Sequence, residues 1–78
     1  KNYKIVIPGN DADLCRRCIE SIHRNQPGAP VVVVWDGDGE FAGGDGVEVM
    51  PGAKPFCFAR NANIGIRAAG EADVILWN

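Results

Sequence analysis

No stretch of this sequence approaches the ~20 consecutive apolar residues that a membrane-spanning helix needs; its longest apolar run is Ala29 to Trp35. The first residues, KNYKIVIPGN, lack the long apolar core of a secretory signal. Basic residues are few and scattered. The formal net charge is −2 and Arg16-Arg17 is the one basic pair, whereas binding to a phosphate backbone needs clustered Lys and Arg. A nucleic-acid partner is therefore not expected. Cysteine is scarce and odd in number: the three residues have spacings that suggest no secreted disulfide framework. That usage points to a reducing, cytoplasmic setting. Neither standard phosphate-binding glycine loop occurs, and there is no internal repeat and no linker.

What is present is the composition of a globular protein, 46% hydrophobic and 23% charged over 78 residues, which allows one small domain. A chain this short buries only roughly 60% of the surface its unfolded form exposes, so its stability should be marginal. Tyr3 to Pro8 reads as a buried strand, and Pro8-Gly9-Asn10 ends it. From Asp11 the apolar residues change period. Leu14, Cys15, Cys18, Ile19 and Ile22 share one helical face, with Arg16, Arg17, Glu20 and Arg24 on the other. Asn10, Asp11 or Asp13 can cap this helix, and Pro27-Gly28 ends it. The run VVVVW is apolar on both faces, as strands of parallel sheets covered on both sides are. A glycine-rich loop, residues 37–46, leads to a short strand at Val47 to Met50. After Pro51-Gly52, Lys54-Pro55 leads into a second helix, roughly Phe56 to Ala69, with a small-residue face of Ala59, Ala62, Ile66 and Ala69. Gly70 is the expected C-cap, and Ala72 to Trp77 forms a fourth strand.

The order β-α-β-β-α-β predicts an α/β fold, a mostly parallel sheet with helices packed on it. Ligands of such sheets bind beyond the carboxyl ends of the strands. Here those ends are Pro8-Gly9-Asn10, Trp35-Asp36-Gly37 and Trp77-Asn78. The stretch DGDGE after the valine strand spaces Asp36, Asp38 and Glu40 as a calcium loop does. Positions 6 and 12 of such a loop would be Phe41 and Val47, where it needs glycine and glutamate. Taken alone, Asp38 and Glu40 read as a solvated acidic turn. Asp36 sits at the strand end itself and is the candidate for a ligand role.

Cys15-Arg16-Arg17-Cys18 invites two readings, a redox pair or, with His23, a zinc site. Both thiols fall on the apolar helical face, and the expected fourth zinc ligand is Gly28, so core packing accounts for them better. Cys57 reads likewise. His23 suits the carboxyl end of its helix and has no nucleophile partnered to it.

In order and spacing, IVIPGN, DLCRRCIESI, VVVVWDGDGE and ARNANIGIRAAGEADVILWN resemble the N-terminal half of family 2 glycosyltransferases of the GT-A fold. The likeness covers nearly the whole chain. It implies a Rossmann-like nucleotide-sugar-binding subdomain over residues 1–78. It also implies a nucleotide site of Pro8, Gly9, Asn10, Asp36, Asp38, Arg60 and Asn61, with Asp36 receiving hydrogen bonds from base or ribose and Arg60 reaching the nucleotide. Trp35 stands where the family has a first Asp, Asp38 where it has Ser, and the aromatic after the first-strand proline is missing. The donor would be a UDP- or GDP-sugar. A divalent cation, Mn or Mg, is expected in the complete enzyme. Its Asp-x-Asp ligands and the catalytic base are expected beyond Asn78, so that this chain alone would hold no metal and transfer no sugar. Two other readings stay open: a non-enzymatic binding or assembly module that self-associates through exposed sheet edges, and a thiol redox protein.

Overall fold

The computed structural model describes residues 3–52, 57–70 and 72–77. The expected Lys54-Pro55 lead-in, Phe56 and Asn78 lie outside the described residues. Six elements follow in the order β1 (Tyr3–Gly9), α1 (Ala12–Asn25), β2 (Val31–Trp35), β3 (Val47–Pro51), α2 (Phe58–Ala69) and β4 (Asp73–Leu76). The four strands form one sheet in the order β3-β2-β1-β4, and all three pairings are parallel. The strand sequence thus runs outward from β1 to β3 and then jumps back across the sheet to β4.

Side-chain alternation along the two central strands divides the interior into two layers. Ile5, Ile7, Val31, Val33 and Trp35 meet Cys15, Ile19 and Ile22 of α1 on one face. Val6, Val32 and Val34 point to the other face, where Ile64 of α2 packs. The helices therefore lie on opposite faces, and all five residues of β2 are buried. Each such valine contributes roughly 1.5–3 kcal/mol of transfer free energy, which concentrates the stability of the domain in β1 and β2.

Helix α1 starts where Asp11, extended at φ −124°, accepts a hydrogen bond from the Leu14 amide at 3.2 Å. Of the three expected caps it is Asp11 that serves. The helix ends at Asn25, before Pro27, and His23 Nε2–H donates to the Ala29 carbonyl at 2.9 Å, tying the helix end to the entry of β2. Leu14, expected on the buried face, is 55% exposed. It lies in the first turn, where it lines a hollow with Pro8, Gly9 and Asn10 at the end of β1.

Helix α2 starts at Phe58, after an extended Cys57. Its buried face is Asn61, Ala62, Gly65 and Ala69. Ala59 and Ile66, assigned to that face by the sequence pattern, are exposed instead. The phase is set by Gly65. A Cβ there would stand 2.3 Å from Val6 Cγ1 and 3.1 Å from Val34 Cγ2, so the helix backbone rests on the valines at the one position that permits it.

Strands β2 and β3 are parallel, yet residues 36–46 join them without a helix. A buried side chain does that work. Phe41 is 6% exposed and joins the α1-side core. Its ring stacks on Trp35 with centroids 5.1 Å apart and planes at 29°. The Arg16 guanidinium lies over its ring, 5.2 Å from the centroid. Trp35 Nε1–H donates to the Gly39 carbonyl at 3.0 Å, and Gly39, Gly44 and Gly46 take positive φ values of 69°, 88° and 73°, which suit glycine.

Candidate functional site

Asp36 follows the last residue of β2 and keeps its register. Its amide donates to the Gly9 carbonyl at 3.1 Å, and the Gly52 amide donates to the Trp35 carbonyl at 2.7 Å. Strand parity then decides where its side chain goes. Val32 and Val34 face α2, so Asp36 does too, and it meets Asn61 there. Asn61 Nδ2–H donates to Asp36 Oδ2 at 3.2 Å. Asp36 is 6% exposed and Asn61 0%. Buried polar groups persist where hydrogen bonds satisfy them, and no buried side-chain nitrogen or oxygen among the described residues lacks a partner. Gly52 packs closely against the pair: a Cβ on it would lie 2.8 Å from Asn61 Nδ2 and 2.9 Å from Asp36 Cβ.

Two depressions open at this end of the sheet. A groove of about 540 Å³ runs between the 37–41 loop and β3, with Asp36, Glu40, Phe41, Met50 and Gly52 in its lining. A smaller hollow of about 240 Å³ lies at the end of β1, with Pro8, Gly9, Asn10, Leu14 and Cys18 in its lining. The two strand ends touch, since a Cβ on Gly37 would stand 2.8 Å from the Asn10 carbonyl oxygen. The residues singled out by sequence thus fall into groups. Pro8, Gly9 and Asn10 belong to the smaller hollow, Pro8 buried and Asn10 exposed. Asp36 lines the groove, and Asn61 stands behind it. Asp38 is exposed on the loop, and Arg60 is exposed on α2 beside the buried Asn61. Glu40, read from sequence as a turn residue, lines the groove. Its place depends on how Phe41 folds the loop, which no local pattern announces.

The three cysteines are free thiols; Cys15 is buried and Cys18 and Cys57 are half-buried. Burial above all, then the neighbouring Cys18 and Asp11, pushes the Cys15 thiol above its ordinary value of 9.0. A reactive thiol needs the opposite shift. Because the folded value is raised, Cys15 contributes stability that is fully present below about pH 9, its value in an unfolded chain, and is lost as pH climbs through the folded value. Labelling of Cys15 at pH 8 should accordingly be slow in the folded chain and fast in urea; equal rates in both would show that the thiol is accessible. Among the described residues, no three His, Cys, Asp or Glu side chains come together to hold a metal ion, and no helix is long and apolar enough to cross a membrane.

Compared with known proteins, the chain matches no family profile, no curated protein and no solved structure.

Proposed function

We propose that this chain is the nucleotide-sugar-binding part of a glycosyltransferase resembling family 2 enzymes of the GT-A fold. The observation that carries the reading is the buried carboxylate of Asp36 at the mouth of a central parallel strand. Asp36 is among the residues lining a groove, and its carboxylate is hydrogen-bonded to Asn61, within the ARN segment of α2. The strand order is compatible with it, because β3-β2-β1-β4 coincides with the first four strands of the doubly wound order 3-2-1-4-5-6.

In this reading Asp36 receives a hydrogen bond from a base N–H or a ribose hydroxyl of a UDP- or GDP-sugar. Such charge-assisted bonds are about twice as strong as neutral ones. Asp36 and Glu40 make the groove acidic, which suits the uncharged nucleoside end of the donor and directs the diphosphate away. Pro8, Gly9, Asn10, Asp38, Arg60 and Asn61 complete the proposed nucleotide site. The cation, Mn or Mg, belongs to an Asp-x-Asp that the resemblance places after β4. When bound, it would neutralise the charge of the leaving diphosphate. The test is an NMR titration with UDP, GDP and CDP in turn, with and without magnesium. Shifts should gather at Asp36, its loop and residues 8–10, and Asp36→Ala should weaken binding about tenfold or more, the loss of one charge-assisted bond. A folded sample that shows no shifts at millimolar nucleotide would refute the proposal.

One observation favours a second reading, assembly. β4 is an outer strand, and Ile75, Leu76 and Trp77 at its end are 46%, 43% and 37% exposed. An apolar edge of this kind templates pairing with another chain. Sedimentation at rising concentration should then reveal dimers, and Ile75→Lys should abolish them. A monomer throughout removes the reading. No comparable observation favours thiol redox chemistry.

A further inference from the structure

We propose that the groove between the 37–41 loop and β3 selects guanine over uracil, with Glu40 as the residue that reads the base, so that the donor is a GDP-sugar. The inference rests on the nucleotide-site reading above. Size does not choose the base: about 540 Å³ falls within the range of small-molecule pockets and admits a purine or a pyrimidine. Hydrogen-bond chemistry does choose. Among the described residues, the one side-chain N–H in the groove's lining is Trp35 Nε1, and it is already given to the Gly39 carbonyl at 3.0 Å. No described Lys, Arg, His, Ser, Thr, Asn, Gln or Tyr lines the groove. Glu40 does, and a carboxylate only accepts. Val49, 37% exposed, and the half-buried Met50 add apolar surface for a flat ring.

Glu40 is exposed, and among the described residues no hydrogen bond or ion pair engages it. The buried ring of Phe41, next in the chain, holds its backbone beside the groove, and its side chain is left to turn toward a ligand. Guanine offers two adjacent donors, N1–H and the exocyclic N2–H, which meet both oxygens of one carboxylate as a bidentate pair. Uracil offers one, N3–H, between two carbonyl oxygens. Those oxygens would face a lining whose described side chains have no donor to give them, and a polar group taken from water without a partner costs affinity. Recognition through N–H groups also discriminates more sharply than size does, because an analogue lacking one leaves the site's own acceptor unpaired.

The test is NMR titration of the 78-residue chain with GDP, with UDP and with IDP, which keeps N1–H and lacks the exocyclic amine. GDP should bind about tenfold or more tighter than either, the worth of one hydrogen bond to a charged group. In Glu40→Gln the preference for GDP over IDP should shrink to about twofold or less, because a neutral amide has one acceptor oxygen where the carboxylate has two. Asp45→Asn removes the same charge from an exposed position of the same loop outside the groove's lining, and it should leave the preference intact. Equal affinity for GDP and IDP, UDP binding as tight as GDP, or a preference that survives Glu40→Gln would each overturn the inference. Loss of the preference in both variants assigns it to net charge and overturns the role of Glu40. In all these cases nucleotide is still bound and the site itself stands. A folded chain that binds none of the three refutes the nucleotide-site reading, and the base assignment falls with it.

Discussion

Gly65→Val should unfold most of the chain at room temperature. The added Cβ alone would stand 2.3 Å from Val6 Cγ1, and Val6 and Val34 are both 0% exposed. Neither valine has free space to retreat into, so α2 must lift off the sheet. Overpacking by a methyl group costs about 1–3 kcal/mol in a well-packed core, and a branched side chain at so close a contact costs more. The opposing effect is helix propensity. Removing a glycine from a helix interior gains at most about 1 kcal/mol, and valine recovers only part of that. The steric penalty therefore wins, and a domain of this size has little stability in reserve. Urea titration followed by circular dichroism reads the outcome, with Gly65→Ala as the milder member of the series. An unchanged midpoint for Gly65→Ala would show that α2 does not rest on Val6.

Phe41→Ala should have the next largest effect, about 3–5 kcal/mol. Most of that is lost burial and the cavity left above the end of β2. The ring stack on Trp35 adds about 0.5–1.5 kcal/mol and the contact with Arg16 about 0.5–1 kcal/mol. Those smaller amounts can be separated, since Arg16→Ala removes the guanidinium and leaves the ring in place; it should cost less than about 1 kcal/mol. The two substitutions also differ in kind. Loss of Phe41 frees residues 37–46 from the core, so limited proteolysis should cut that loop before the rest of the chain unfolds. If Phe41→Ala and Arg16→Ala prove equally mild, Phe41 does not anchor the loop.

Why these two positions matter was only partly readable in the sequence. The uninterrupted valines of β2 announced a strand covered on both faces, and the alternation of strand and helix announced a parallel sheet. Helix α1 followed its apolar spacing except at Leu14, which lines the hollow at the end of β1. Helix α2 was harder. Its residues are small and nearly all could face inward, so spacing gave no phase. Contact of Gly65 with the valines fixes the phase, and with it the burial of Asn61 and the exposure of Ile66. Asp36 was legible because it sits where a buried run stops. Its partner was not, since the hydrogen bond joins positions 36 and 61 through tertiary packing. Glu40 reached the groove for a similar reason, carried there by the anchoring of Phe41.

The arrangement at the end of β2 also has an optical consequence. The chain has two tryptophans. Trp35 is 9% exposed, stacked on Phe41 and adjacent to Asp36, while Trp77 is 37% exposed at the far edge of the sheet. Intrinsic fluorescence therefore divides into a shielded emitter in the groove wall and an accessible one remote from it. A soluble quencher should extinguish the second first, and Trp77→Phe should leave a chain whose whole emission reports on the groove. Occupancy of that groove, and loosening of the loop that borders it, then become visible in real time without any attached label.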